Sequence, residues 1–524
     1  MGLRKIWQTM RTLHERPHNL LAISDLHLGC DLRLSTRREA PQEPRFADGP
    51  LASFFDFHAD NRTNGKPWRL ILNGDIVDFV ALTAVPLPGD QVPFQVSDEE
   101  RGLGLAPEEL KCVWKLQRAA ERHAKVFDAL ARFLQKGNSV HIIRGNHDAE
   151  WRWPAVQTEL RKLLVERAAP RSAPARRRLE AAVEFHDWFY LEPGFFYAEH
   201  GHAHDRFSLQ SDFFAAHGAA VPAAGSAKEM DLPLSSKVLR YFVNRYTEQV
   251  ELPDDVDAWG VKECLDWVLK AGNPLRIAAD YFVMVFRVLY PVLRQSLKIS
   301  RALFRAADKV VATKVAPDAH VRHMLEKFQG TERQAQQLLA IASRPAEESL
   351  FDSMQLFYLD RMALAIFSLL AAASTSYAVH GFWPKAGALT GVGILFAALN
   401  ALLGKHRRTD AHPMLQAASR RVAQVFDVKY IVMGHSHRAV DEAAGNGARY
   451  FNLGSWTGRP GEGFPHVAVV SGRGELRRWK GAPDPSRQAA VEPKAALPQR
   501  AAPKGLPVDF GDLVQGAETG ALLA

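Results

Sequence analysis

Five short polar motifs recur along the chain: Asp25-Leu26-His27, Gly74-Asp75-Ile76-Val77-Asp78, Gly145-Asn146-His147-Asp148, His200-Gly201-His202 and Gly434-His435-Ser436-His437. They are rich in Asp, Asn and His, which offer hard oxygens and neutral imidazoles to divalent cations. Two such ions about 3.5–4 Å apart can clamp the attacking and leaving oxygens of a phosphoryl centre. A pair of this kind needs imidazoles, hard oxygens and one carboxylate that bridges both ions. Asp25 and His27 are two residues apart, so at a strand end both can reach one pocket. Asp75 follows Gly74, which lets the backbone come close to the ions. His435 and His437 repeat the alternate spacing, again after a glycine, and Asn146 supplies a neutral amide oxygen. The pattern points to a hydrolase with two divalent metal ions, and mixed ligands of this kind suit Mn, Fe, Zn or Mg.

Ligands in this number must be held by regular elements. The runs 20–24, 70–73, 139–144, 195–199 and 429–433 each end at a motif. They are short, apolar and rich in β-branched and aromatic residues, as buried strands are. Residues 107–135 have the apolar spacing of a helix, with Gly137 as its stop. Strands alternating with helices predict an α/β layer fold, in which ligands collect beyond the carboxyl ends of strands.

About two hundred residues separate His200 from His435, far more than a loop requires. The expected organisation is therefore a core in two parts, 19–206 and 411–480, around a helical insertion at 207–410. Within the insertion, Arg287, Arg294, Lys298, Arg301 and Arg305 recur at helical spacing in 275–315. Pro291 should kink or divide that helix. Its basic face suits either an anionic membrane surface or plain solvent. Two charge-free stretches follow, 362–379 and 386–404, joined by 380–385. Each is near the lower length limit for crossing a bilayer. Asp360-Arg361 precedes the pair and Lys405-His406-Arg407-Arg408 follows it. Basic outer ends put both ends on the cytoplasmic side. The alternative is a helical hairpin buried within a cap.

The chain has 524 residues, 47% of them hydrophobic, enough for a substantial core. Its three cysteines, Cys30, Cys112 and Cys264, are too scattered for a disulfide framework or a thiolate zinc site. Residues 1–19 lack the apolar core of a secretory signal, so the catalytic part is expected in the cytoplasm. The net charge of +8 favours anionic partners: a phosphorylated substrate, membrane lipid or nucleic acid. Residues 481–524 are rich in Pro, Ala and Lys, the composition of a disordered tail.

The ordered set DxH, GDxxD, GNHD, H and GHxH resembles the calcineurin-like metallophosphoesterase superfamily over 19–204 and 410–479. The resemblance implies an α/β fold, a two-sheet β-sandwich flanked by helices, with the metals where strand ends meet. By the same motifs it implies one ion on Asp25, His27, Asp75 and His437, and a second on Asp75, Asn146, His200 and His435. A metal-bound hydroxide would then attack phosphorus in line. His147 would face the phosphate, with Asp148 orienting it, and Arg144 could bind a phosphate oxygen. Asp78 would hold a loop or a ligand rather than metal, and His202 and His204 compete with His200 for the fourth motif's ligand. Phe79 and Leu28 depart from the Ser/Thr protein phosphatases, which have Arg and Gly there. UDP-diacylglucosamine hydrolases share the Ser24–Gly29 style but have Arg where His147 stands. The expected function is a metal-dependent phosphoesterase acting on a phosphate ester or pyrophosphate, on a lipid-linked or membrane-proximal substrate. A soluble nuclease or nucleotide phosphodiesterase, and a catalytically idle membrane scaffold, are the alternatives.

Overall fold

Each apolar run before a motif is a strand, and each strand stops just short of its motif. β1 (Asn19–Ile23) leads to Asp25, β2 (Trp68–Asn73) to Gly74, and β3 (Ser139–Ile143) to Gly145. β4 (Val183–His186) and β5 (Phe189–Glu192) follow, and β6 (Phe196–Glu199) leads to His200. After the insertion, β7 (Tyr430–Met433) leads to Gly434, and β8 (Ala439–Gly445), β9 (Ala448–Leu453), β10 (Phe464–Val470) and β11 (Arg473–Trp479) complete the set. The computed structural model describes residues 16–33, 48–211, 213, 229–246, 261–305, 319–328, 330–406, 410–457 and 463–481. The expected tail beyond Gly481, and the first fifteen residues, lie outside these.

The strands form two mixed sheets, ordered β11-β10-β1-β2-β3-β4 and β5-β6-β7-β9-β8. β1 to β4 run parallel, as do β6, β7 and β9. Parallel pairing puts the carboxyl ends of the motif-bearing strands of one sheet side by side. Side chains alternate between faces. Leu20, Ala22, Ile71 and Ile143 of the first sheet share an apolar layer with Phe196, Ala198, Val432 and Phe451 of the second. Leu21, Ile23, Leu70, Val140 and Ile142 turn the other way, into a layer with the flanking helices. With both faces covered, the strands read as continuous apolar runs.

The helices before the insertion are α1 (Asp48–Asp60), α2 (Asp98–Leu103), α3 (Glu109–Arg122), α4 (Ala124–Gln135), α5 (Pro154–Ala168) and α6 (Ala173–Ala181). The single helix expected over 107–135 is thus two. It breaks at His123 (φ −103°, ψ 36°). The His123 ring is held by Asp48 at 2.8 Å and receives the Gly29 N–H at 2.9 Å, a tertiary demand that overrides the local periodicity.

Between His204 and α15 (Ala411–Val425), every described element is helical. These are α7 (Leu234–Tyr241), α8 (Val261–Ala271), α9 (Pro274–Arg305), α10 (Ala319–Glu326), α11 (Glu332–Ile341), α12 (Leu350–Leu356), α13 (Leu359–Ala378) and α14 (Phe382–His406). β6 pairs directly and in parallel with β7, Tyr197 opposite Ile431, so the chain leaves at the carboxyl end of β6 and re-enters at the amino end of β7, after α15. α9 runs through Pro291 undivided. Its Arg287 is exposed, pairing with Glu99 and lying 3.9 Å over the Tyr241 ring. Phe282, Val283, Phe286 and Tyr290 are exposed as well. The side chains of Lys298, Arg301 and Arg305 lie outside the described residues.

α13 and α14 are long and apolar enough to cross a membrane, and no residue in either apolar window is buried. Phe367, Leu369, Ile394 and Leu395 are more than half exposed. A hairpin packed inside a cap would bury such side chains, and among the described residues nothing covers these.

Phe54 on α1 joins the two parts of the core, its ring 5.3 Å from Trp456, 5.0 Å from His466 and 5.4 Å from Trp479. Phe54→Ala is expected to destabilise the fold by about 3–5 kcal/mol. Denaturant unfolding followed by tryptophan fluorescence measures this. A loss below about 1 kcal/mol would show that this aromatic joint is dispensable.

Candidate metal centre

The motif side chains are delivered by turns held in an unusual backbone form. Asp25 (φ 56°), His27 (φ 48°), Asp75 (φ 54°), His435 (φ 65°) and His437 (φ 54°) are all left-handed. That region disfavours residues with a Cβ, by roughly 1–2 kcal/mol each. The turns are tied to one another: Asp25 N–H donates to Gly74 O at 3.1 Å, and Leu26 and His27 N–H both donate to Asp75 O at 2.9 Å. Trp456 N–H closes the ring from the second part of the core, donating to Asp25 O at 3.1 Å.

The glycines of the motifs have a further reason to be small. A Cβ on Gly145 would lie 2.1 Å from Asp75 Oδ1 and 2.6 Å from Asp75 N. One on Gly434 would lie 2.1 Å from Ser24 Oγ, and one on Gly74 would lie 2.4 Å from the His200 ring.

Around these turns the seven expected ligands come together in two adjoining groups. Asp25, His27 and His437 form one, and Asp75, His200 and His435 the other. Within the first, Asp25 Oδ1 lies 3.1 Å from His437 Nε2, which lies 3.4 Å from His27 Nε2. Within the second, Asp75 Oδ2 lies 3.2 Å from His200 Nε2, which lies 3.2 Å from Asn146 Oδ1. Asp75 Oδ2 is also 4.0 Å from His27 Nε2, so it faces both groups. Tetrahedral bonds of about 2.0–2.2 Å space ligand atoms by about 3.3–3.6 Å, and the observed separations bracket that span.

Three of the four imidazoles are oriented by a partner on the far nitrogen. His27 Nδ1 lies 2.9 Å from Asp78 Oδ2, His200 Nδ1–H donates to Asn73 O at 2.8 Å, and His435 Nε2 lies 3.1 Å from Asp205 Oδ2. Such contacts fix the tautomer and leave the opposite nitrogen to a cation.

The electrostatics are those of crowded carboxylates. Burial opposes ionisation of Asp25, Asp75 and Asp78, yet all three are held below the usual carboxylate range. His437 and His200 do this for Asp25, His200 and His147 for Asp75, and His147 and His27 for Asp78. Conversely, burial disfavours protonated His200 and His147, but Asp75 with Asp25 lifts the first to about 9, and Asp78 with Asp75 lifts the second to about 10. A bound cation would take over the positive charge that the His200 proton supplies to these carboxylates.

Comparison with protein-family models and with curated proteins finds no match to this chain. The site is therefore described by its own geometry.

That geometry corrects two expectations. Asp148 does not orient His147. It is fully buried and accepts the Ile76 N–H at 2.7 Å and the Gly145 N–H at 2.6 Å, joining the second motif to the third. Burial and Asp75 raise its carboxyl to about 6. The carboxylate beside His147 is Asp78, whose Oδ2 lies 3.2 Å from His147 Nδ1. Nor does Arg144 stand free for a phosphate. Its Nε donates to Asp187 O at 3.1 Å, its Nη1 donates to Gln210 Oε1 at 2.9 Å, and the group lies 4.5 Å over Phe213. It is a buried strut between β3 and the start of the insertion. Of the competing histidines, His204 pairs with Glu199 at 2.8 Å and His202 packs on Phe213, so His200 alone joins the cluster.

Asn73 and Asp205 take part as well, and their only local signals are a polar residue closing a buried strand and an acid closing a His-rich run.

Gly145→Ala tests the turn packing. Backbone as well as carboxylate obstructs the added methyl, so neither can simply swing aside. The variant is expected to lose about 1–3 kcal/mol of stability, read by denaturant unfolding. An unchanged midpoint would show that Asp75 is not confined as described.

Proposed function

We propose that the chain is a dinuclear metal-dependent phosphoesterase, resembling the calcineurin-like metallophosphoesterases, that hydrolyses a phosphate ester or pyrophosphate at the cytoplasmic face of a membrane. The observation that carries this reading is the convergence of seven donors, buried Asp75 among them, five of the seven on left-handed residues. Strained backbone of this kind persists where surrounding structure enforces it, and it clusters at functional sites.

The donor set fits two hard or borderline cations. One would be held by Asp25, His27, Asp75 and His437, and the other by Asp75, Asn146, His200 and His435. When bound, such ions polarise phosphoryl oxygens and make water a nucleophile at neutral pH. The chain's own groups do the rest. Asp78 stands between His27 and His147 and positions both. With Nδ1 turned to Asp78 and its side chain a quarter exposed, His147 has Nε2 for a phosphate oxygen or a leaving group. Asp148 keeps the turn that carries Asn146 and His147 closed on the turn that carries Asp75.

The membrane reading rests on α13 and α14. At 1.5 Å per residue, each is about 30 Å long or more, the thickness of a bilayer core. Phe382 and Trp383 at the tip suit the far interface, and Arg361 with Lys405 suits the near one. One apolar cluster joins the hairpin's foot to the neighbourhood of the centre. Leu359 packs with Phe357, Met284, Val288, Leu234 and Phe207. Ser236, beside Leu234 on α7, donates to Asn146 O at 3.4 Å. A substrate presented at the membrane surface is the class this continuity favours.

Hydrolysis should be measured on phospholipid, nucleotide and nucleic-acid phosphoesters with several metals. Asp75→Asn is expected to abolish turnover, and Asp78→Asn to lower it about 10–100-fold. Metal-loaded protein inert on every phosphoester would indicate a scaffold, and salt-sensitive turnover of nucleic acid alone would indicate a nuclease.

The full chain is expected to sediment with membranes and to resist extraction by high salt. Replacing 359–406 with a short polar linker should release it. Release of the unaltered chain by salt would remove the membrane hairpin from the proposal.

A further inference from the structure

A second convergence of metal-ligating side chains lies away from the Asp75 centre, on β3 and β4. The parallel register sets His141 opposite Glu184. His186, two residues beyond Glu184, shares that face of the strand. His141 Nδ1 lies 3.0 Å from His186 Nε2 and 3.8 Å from Glu184 Oε2. A hydrogen bond between two histidines accounts for the first distance, and the strand register brings the Glu184 carboxylate to the same nitrogen. Ligand atoms around a tetrahedral ion with bonds of about 2.0–2.1 Å stand about 3.3 Å apart, and the two distances straddle that value. We propose that His141, Glu184 and His186 form a binding site for one zinc-like divalent ion, with a fourth position open to water.

The surroundings fit a resident ion. β4 ends the first sheet and β5 ends the second, so the site lies where the sandwich opens. His141 is buried, His186 half-buried and Glu184 exposed, which gives an ion a way in from solvent. The two rings stack at an interplanar angle of 17°, and Tyr190 stands 5.2 Å from one and 5.4 Å from the other. The donors are therefore preorganised. Burial, with Lys327 and Arg69, lowers His186 to about 4. Burial, with His186 and Arg69, lowers His141 further. Both rings are thus neutral, the form that binds metal. Arg69 lies 3.5 Å from Glu192, a carboxylate it shares with Arg16 and His18. An ion here would clip β4 to β3 at the sheet edge. The inference is independent of the phosphoesterase reading.

The test is zinc stoichiometry on the full-length chain, stripped by a chelator, re-equilibrated with zinc and counted by elemental mass spectrometry. Glu184→Gln, at an exposed position with little risk to folding, and His186→Ala should each bind one zinc fewer than the parent, or bind it about tenfold or more weakly. The comparison is repeated with His200→Ala and His437→Ala in every chain, which breaks the Asp75 centre. There the parent should retain a zinc that Glu184→Gln and His186→Ala lose. Equal zinc content and affinity with and without these two substitutions, in both backgrounds, would overturn the proposal whether or not the Asp75 centre binds metal.

Discussion

The centre is organised by one buried carboxylate. Asp75 is almost wholly removed from water, where an isolated anion is untenable without compensating charge and hydrogen bonds. Its side chain reaches in two directions: Oδ1 takes the His147 N–H, and Oδ2 faces His200 and His27. Its carbonyl oxygen receives both Leu26 and His27. Asp75 therefore binds the turns after β1, β2 and β3 into one body and meets the turn after β6 through His200. Gly145 follows from the same constraint, since the space of its missing side chain is filled by Asp75.

The insertion is built onto this body rather than hung from it. Its first residues after the His-rich turn are locked by Arg144 through Gln210. Asp205, which orients His435, belongs to the same stretch. Beyond it, Phe207 opens the apolar cluster that runs through α7, α9 and α12 to the foot of α13. The elements that orient the last motif and those that carry the exposed hairpin are thus parts of one continuous packing.

The sequence showed the strands and the polar motifs at their ends because both are local signals. An apolar run ending in Gly-Asp or Gly-His is visible without knowing its neighbours. What failed to show depends on neighbours. The break at His123 is set by Asp48 and Gly29, neither near it in sequence. Asp148 follows His147 directly, yet the turn points it back at Ile76 and Gly145, leaving Asp78 to stand beside His147. Arg144 reads as a free cation at a strand end until Gln210 and Phe213 cover it. His141 and His186 had no role in sequence, because only the β3–β4 register brings them together.

The pairing of β6 with β7 has a consequence for how the protein is made. His200 emerges from the ribosome well before His435 and His437, and the whole insertion, α13 and α14 included, lies between them. The second sheet cannot gain β7, nor the centre its last two imidazoles, until the hairpin has been synthesised. Translation order therefore places the apolar hairpin outside the ribosome before the cluster is assembled. Non-local pairing of this kind also forms slowly, so an unfinished chain carries an incomplete cluster.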